Sequence, residues 1–536
     1  MKAKIYLFYG LLLISFLLLA GRLTELQLIL GSRNRTLAEG NRIKKINLSA
    51  PRGMIYDRNG KELVHNVPIY RVKINQSERA EEWKVISRDE ALKIEARGGS
   101  EAAELRTDIG RNYVYGLALA HVLGYLGELN EDEVKKGQGI LGDFTGRTGI
   151  EERYNQQLMG IVGGELFEVN AYGEKIREIG KNQPTAGEKL TLAIDAELSK
   201  VAYDALEDKS SLPAGRQGAV VVTDPKTGQV LTLVSSPSFN PQTISPDVLT
   251  DENRPMFNRA IGGVYPPGST FKIVTATAGL EEGKIDKNTL YEDPGAIQIG
   301  DYSYKNWYFT QYGRTEGRID LVRAITRSTD TFFYKVGEWV GPDKLAQWAR
   351  TYGLGKTTGI DIGGEAAGLV PDPEWKLNTT GERWFLGNTY HLAIGQSDLL
   401  TTPLQVNMMT SVIANKGLLC RPQVTKIQSN KVAECQDLKL KPETIELIKE
   451  GMIGVCSTGG TAFPFFDFAP KVACKTGTAE YGPLIGGKRK THAWFTAFAP
   501  ADNPEIVVTV LVEGGGEGSY VAAPIAKKVL EKWFGK

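Results

Sequence analysis

Histidine and cysteine are scarce in this chain, with four of each among 536 residues. His65, His121, His391 and His492 are scattered and form no i, i+4 pair, so no helical metal motif is spelled out. All four cysteines fall between positions 420 and 474 without a C-x-x-C, which removes the usual metal and redox signatures. Formal net charge is only +1, and charges of both signs are interspersed, so nothing marks a nucleic-acid-binding surface. No internal repeat is evident.

Long apolar runs are also missing, with one exception. Residues 5 to 21, IYLFYGLLLISFLLLAG, carry no charge. That length is at the low edge for a bilayer-spanning helix. A cleaved signal peptide is the rival reading, but the run ends Leu-Leu-Ala-Gly-Arg rather than in a small-x-small site, and the helical pattern continues through RLTELQLIL. An uncleaved anchor is favoured. Lys2 and Lys4 precede the span, whereas Arg22, Arg33, Arg35, Arg42, Lys44 and Lys45 follow it. A literal positive-inside count therefore opposes export of the C-terminal part, although large domains translocate largely regardless of such charges.

Beyond the anchor, Asp57-Arg58-Asn59-Gly60 separates two alternating apolar runs and predicts a hairpin. Residues 77 to 109 are densely charged and read as an exposed helix. GEKLTLAIDAELSKVAYDALED reads as a strand then a helix, followed by the polar stretch KSSLPAGRQG. A domain boundary is expected between about 195 and 217. AVVVTDPKTGQVLTLVSS reads as a strand, a turn and a strand. Three more strands are expected in KVACKTGTAE, HAWFTAFAP and EIVVTVLVE, then an amphipathic helix in APIAKKVLEKWFGK. With a mostly helical middle from 269 to about 460, the layout is α+β.

The chemistry starts at YPPGSTFK, residues 265 to 272. On the bland reading Ser269 caps a helix and Lys272 is solvated. On the sharper one, residues three apart share a helix face, so Lys272 can serve Ser269 as base. A lysine does this only when burial or a second cation depresses its pKa. K-T-G occurs twice. Lys226-Thr227-Gly228 follows Asp224-Pro225 and reads as a solvated turn. Lys475-Thr476-Gly477-Thr478 continues an apolar strand, where a glycine admits close approach of another backbone. A hydroxyl relay is available at Ser328-Thr329-Asp330, whose bland reading is a helix cap. GPLIGGKR at 482 to 489 resembles a phosphate loop but has Arg489 where the Ser or Thr must stand.

S-x-x-K at 269, S-x-D at 328 and K-T-G-T at 475 follow the order of the penicillin-recognising serine transferases and β-lactamases. YPPGSTFK, STDTFFY, AIGQSDLLTTPLQ, CKTGTAE and HAWFTAFAP resemble a class B penicillin-binding protein. PRGMIYDRNG and GRTGIEERYNQQLMG are similar to its membrane-proximal pedestal. RNYVYGLALAHVLGYLG and the S-x-D, where most relatives have S-x-N, look closest to the penicillin-binding protein 2 type.

The resemblance implies a multidomain α+β chain. A cytoplasmic tail covers 1–4, a transmembrane anchor 5–21 and an elongated pedestal 31–200. A serine β-lactamase-like transpeptidase domain, an antiparallel sheet between helical layers, covers 215–536. It implies acyl transfer between peptidoglycan stem peptides through Ser269, inhibited by β-lactams, in cell elongation. Lys272 would be the general base, kept neutral by burial and by Lys475. Ser328 would relay a proton, Asp330 would accept from Lys272 or substrate, and Lys475, Thr476, Gly477 and Thr478 would hold the substrate. No cofactor is implied.

A SEDS-type membrane glycosyltransferase is the implied partner, and the implied location is the inner membrane with the catalytic domain periplasmic. Cysteines in that compartment can oxidise; Cys420–Cys435 is one such pairing, and the sequence leaves open whether that or any other pair forms. Some relatives bind zinc through two Asp, a His and a Cys. Here Asp293 and Asp301 remain, but Glu316 and Thr329 replace the others, so no zinc is expected. Two further departures are Gln396-Ser397 in place of Gln-Gly and a shortened segment between 76 and 111. A division-specific transpeptidase, an anchored β-lactam sensor or β-lactamase, and a catalytically silent scaffold remain alternatives.

Overall fold

The computed structural model describes residues 2–77, 80–98, 105–136, 143–170, 175–208, 217–427 and 432–536. The polar stretch 209–216 lies outside them, and with it much of the expected boundary. The chain divides into two compact units. One comprises Met1–Gly53, Asn66–Gly110 and Gln156–Glu188, and the other Met54–His65, Arg111–Asn155 and Lys189–Lys536.

The first unit opens with an α-helix at Lys2–Thr24, continued by one π-helical turn at Glu25–Ile29. Together they form a 28-residue apolar helix with no buried residue. At 1.5 Å per residue that is about 42 Å, longer than the ~30 Å hydrocarbon core of a bilayer. Beyond it, Gly163–Val169 pairs antiparallel with Ile43–Leu48 on one side and Lys175–Asn182 on the other.

The segment from 77 to 109 departs from the expected helix. Ala80–Ile86 is a strand paired with the long strand Glu62–Ser77, and Arg106–Tyr113 is another. Among the described residues of this segment, Arg88–Arg97 is helical, started by a capping box between Ser87 and Glu90. High charge density signals exposure, and an exposed two-sided ribbon carries it as readily as a helix does. The local alternation WKVI decides for strand.

In the second unit the expected DRNG hairpin forms, with Ile55 opposite Val64. Asp57, fully buried, accepts the Asn59 and Lys61 N–H groups at 2.7 and 2.9 Å, and Gly60 takes the positive φ of 84° that the turn requires.

The core of this unit is a five-stranded antiparallel sheet. Its strands are β1 (Gly218–Thr223), β2 (Val230–Ser236), β3 (Ala473–Ile485), β4 (Lys488–Ala499) and β5 (Ile506–Val512), in the order β2-β1-β5-β4-β3. Every residue of β1, β2 and β5 is buried, so the sheet is covered on both faces. The helices that matter are α1 (Lys272–Glu281), α2 (Leu321–Arg327), α3 (Asp330–Val340), α4 (Pro403–Ala414), α5 (Pro442–Val455) and α6 (Ala522–Trp533). α4 packs on β1, β4 and β5, with the Thr410, Thr496 and Thr509 hydroxyls linked through the core. α6 packs on β4 and β5.

The two K-T-G copies part here. Lys226 is exposed at the β1–β2 turn, whereas Lys475 is fully buried on β3, the edge strand.

Candidate active site

The Ser269 turn is shaped by close approach. Gly268 has φ 55°, and a Cβ there would meet the Thr478 carbonyl oxygen at 2.9 Å, so β3 can pass only because the residue is glycine. Gly477 repeats the device, since its added Cβ would fall 3.1 Å from Thr270 Cγ2 and 3.2 Å from the Pro267 carbonyl. The Trp494 indole N–H donates to the Pro266 carbonyl at 2.9 Å, and the Gly268 N–H to Gly395 at 2.8 Å. A 3₁₀ turn, Gly268–Phe271, then feeds α1. Ser269 is half-buried on the wall of a cavity of about 610 Å³, whose lining also includes Ser328, Asp330, Thr476, Gly477 and Thr478.

Lys272 is fully buried one turn on. Its Nζ donates to the Ser328 carbonyl at 2.8 Å, the Ser328 hydroxyl at 3.2 Å and Asp330 Oδ1 at 2.6 Å. None of its hydrogen bonds goes to Ser269. Lys475 Nζ donates to the same Ser328 hydroxyl at 2.8 Å and to the Thr476 carbonyl at 2.9 Å. One hydroxyl therefore receives both ammonium groups and keeps its own proton free to donate. Ser328 sits in the left-handed region at φ 54°, capping the C-terminus of α2, and α3 begins at Asp330. The bland alternative, Ser328 or Asp330 as a helix N-cap, gives way to this sharp turn.

Burial depresses the pKa of both lysines. For Lys272 the Asp330 carboxylate opposes the shift. Lys475 makes no direct bond to a carboxylate; burial, and after it the charge on Lys272, hold it well below the ordinary lysine value. Both lysines are thus held below the ordinary lysine value, and only Lys272 has a carboxylate bonded directly to it to oppose the shift.

The outer edge of β3 is free to receive an extended ligand only along part of its length. Gln396 fills the next step: its Nε2 donates to the Thr478 carbonyl at 3.0 Å, and its Oε1 accepts the Glu480 N–H at 3.0 Å. The Thr478 carbonyl thus points away from β4. In an antiparallel strand a residue's N–H and C=O share a side, so the Thr478 N–H points the same way. Thr476 is pinned by a 2.7 Å hydrogen bond between its hydroxyl and that of Thr461. Ser397, next to Gln396, has φ 64° and is exposed. A left-handed residue with a Cβ costs roughly 1–2 kcal/mol, and glycine's extra unfolded-state entropy takes back about half. Ser397→Gly is expected to stabilise by up to ~1 kcal/mol in denaturant titration, and a loss of that size would contradict this account.

Cys420 and Cys435 form a disulfide, settling a pairing the sequence leaves open. A second one, Cys456–Cys474, links the residue after α5 to the residue before Lys475. Nothing in the sequence singled out that pair.

The two aspartates kept at the zinc-ligand positions, Asp293 and Asp301, are not brought together. Asp301 is exposed at the tip of the hairpin Ala296–Ile299 and Tyr302–Lys305 and does not join Asp293. Asp293, 2% exposed, is instead surrounded by donors: the Gly295 and Glu316 N–H groups at 2.9 Å each, the Thr331 hydroxyl at 2.6 Å and Asn306 Nδ2 at 3.1 Å. The Glu316 carboxylate is held by Arg323 at 2.8 Å and Arg327 at 2.6 Å. The buried Thr329 hydroxyl has no partner among the described residues. A carboxylate ringed by N–H and O–H groups, and a second neutralised by two arginines, do not fit a divalent cation.

Two family models match the chain. The penicillin-binding protein transpeptidase domain covers residues 218–531, and the penicillin-binding protein dimerisation domain covers 47–90 and 82–192. The peptidoglycan D,D-transpeptidase MrdA of Acinetobacter baumannii is 33% identical over 99% of this chain and 88% of its own length. The protein of the same name from Escherichia coli K12 is 32% identical over 98% and 92%. Among solved structures, PBP2 of Helicobacter pylori in complex with MreC superimposes with TM-score 0.79 at 28% identity, over 92% of this chain and 99% of that one. PBP2 of Pseudomonas aeruginosa in complex with WCK 5153 gives 0.71 at 32%, over 91% and 96%. A peptidoglycan synthase complex that coordinates polymerisation and crosslinking contains a chain matching at 0.77 and 30%, over 99% and 98%. With its pedestal, its buried lysine pair about Ser328 and these matches along nearly its whole length, the chain belongs to the class B penicillin-binding proteins.

Proposed function

We propose that the chain is a peptidoglycan D,D-transpeptidase of the penicillin-binding protein 2 type, working through an acyl-enzyme on Ser269. The observation that carries this reading is the convergence of Ser269, the Lys272–Ser328–Lys475 chain and the outer edge of β3 on one cavity.

Asp330 and the two lysines form a buried trio. With one lysine neutral, the trio is electrically balanced. A proton crossing the Ser328 hydroxyl that both lysines touch leaves Lys272 neutral and Lys475 charged. Lys272 then accepts the Ser269 proton as Oγ attacks the penultimate D-Ala carbonyl of a donor stem. The oxyanion forms between the Ser269 and Thr478 N–H groups, the second of which points outward from β3. The C–N bond breaks, the proton returns through Ser328 to the departing D-Ala amine, and the ester remains on Ser269. An amine from a neighbouring stem attacks the ester carbonyl and loses its proton to the same relay, the C–Oγ bond breaks, and the proton returns to Ser269 Oγ as the amide cross-link leaves. Lys475, Thr476 and Thr478 receive the donor's terminal carboxylate, and Gly477 keeps the strand close to the Ser269 turn.

In the organisation this reading assigns, 1–4 is a cytoplasmic tail, 5–21 a single-pass anchor, 31–200 the pedestal and 215–536 the transpeptidase domain. The exposed apolar helix supports the anchor. Two disulfides favour an oxidising compartment for the catalytic unit, outside the inner membrane. The relatives' assemblies support a partner that supplies glycan strands, a SEDS-type glycosyltransferase, and a role in cell elongation.

The test uses the full chain with glycan strands bearing pentapeptide stems. D-Ala release matched by cross-linked dimers is expected. Release without cross-links would make the protein a carboxypeptidase and overturn the reading.

A further inference from the structure

The Ser328-to-Asp330 turn is fastened from outside by two residues at the start of the short helix Trp307–Tyr312. Asn306, fully buried, accepts the Asp330 N–H on Oδ1 at 3.2 Å and donates from Nδ2 to Asp293 Oδ2 at 3.1 Å. The Trp307 N–H donates to Asp330 Oδ2 at 3.1 Å, and its indole N–H to the Arg327 carbonyl at 2.8 Å. The Arg327 guanidinium lies over the Trp307 ring at 5.3 Å while bonded to Glu316. Asp330 therefore has one oxygen on Lys272 and the other on this bracket.

We propose that Asn306 is a positioning residue for acylation, its amide tying buried Asp293 to the turn whose carboxylate holds Lys272. The inference rests on the roles given above to Lys272 and Asp330. It follows from donor and acceptor chemistry. The Asp293 oxygen needs a donor and the Asp330 N–H needs an acceptor, and a primary amide of this length supplies both at once. Aspartate has no donor, alanine has neither group, and serine is too short to span the two. Gly295, Thr331 and Glu316 also hold Asp293 in place, so the hub cannot swing towards Asp330 by itself.

The test measures acylation of the full chain by a fluorescent penicillin as a function of pH, with melting temperature in parallel. Asn306→Ala is expected to lose about 10- to 100-fold in rate, the usual cost of removing a residue that orients a reacting group. It is also expected to move the acid limb of the profile to lower pH. The charged groups that bear on Lys272 are Asp330 from α3 and Lys475 from β3. Asp330 raises the Lys272 pKa, so loosening it lets the amine lose its proton at lower pH. Asn407→Ala, a buried asparagine of α4 bonded to Thr223, Val221 and Val507, is the control for general loss of stability, with an unshifted profile expected. If the alanine variant does not fold, Asn306→Ser carries the same expectation. Asn306 variants with the wild-type profile, or with no more rate loss than the control at equal melting temperature, would overturn the proposal. Ser269→Ala separates the two levels: labelling that survives it sinks the underlying reading, whereas a dead Ser269→Ala beside unshifted Asn306 variants sinks only this inference.

Discussion

Ser269→Ala is expected to abolish covalent labelling by a fluorescent penicillin while leaving the melting temperature within a few degrees of wild type. The hydroxyl is half-exposed on the cavity wall and makes no hydrogen bond in the core, so removing it opens no sizeable void. No neighbour can take over easily. Ser328 is 6% exposed and its Oγ receives two ammonium protons, and the Thr476 hydroxyl is engaged by Thr461. Ser269 alone begins an S-x-x-K, and the turn that presents it is locked by Gly268 against β3. Label remaining on the alanine variant would transfer the nucleophile to another hydroxyl and end the present account of the site.

Lys475→Ala is expected to slow acylation by about 100- to 1,000-fold, the range for losing a preorganised electrostatic contact. Two functions go at once: the cation facing the donor carboxylate, and the partner that exchanges a proton with Lys272 through Ser328. Stability should suffer much less than activity, because a desolvated amine without a carboxylate of its own is itself costly to bury. The other K-T-G lysine is the internal comparison. Lys226 is exposed and reaches only Asn503 at 3.0 Å, so Lys226→Ala should change stability by less than ~0.5 kcal/mol and acylation not at all. Equal effects of the two substitutions would mean that β3 is not the substrate strand.

The three catalytic stretches were legible because each is a local pattern with a mechanical meaning. A Ser and a Lys three apart follow a Pro-Pro-Gly stop, a hydroxyl stands between two helices, and a Lys-Thr-Gly interrupts an apolar strand. Their convergence was not local at all: Ser328 and Lys475 meet across 147 residues. The two K-T-G copies fall in different settings, one exposed on a turn and one buried on a strand, because the first follows Asp224-Pro225 and the second follows an apolar run.

What escaped notice lacks such a pattern. Asn306 and Trp307 stand in a small hairpin-to-helix junction, and a lone Asn-Trp carries no spacing that reveals its partners 13 and 24 residues away. Asp301 attracted attention as a carboxylate, yet the hairpin turns it to solvent while Asn306 takes the place beside Asp293. The Cys456–Cys474 pairing needed α5 and β3 to be side by side, which no single stretch states. The charged region before 110 misled because charge reports exposure and is silent on whether the exposed backbone is strand or helix.

The most direct measurement is the mass of the intact, full-length chain during and after exposure to benzylpenicillin, followed by peptide mapping. Acyl-enzyme accumulation is the kinetic fingerprint of covalent catalysis with slow deacylation, and the expected result is one adduct per chain, on the peptide containing Ser269, outlasting a chase of about an hour. An adduct mapped to a different residue, no adduct, or one that decays within minutes as penicilloate accumulates would contradict the account.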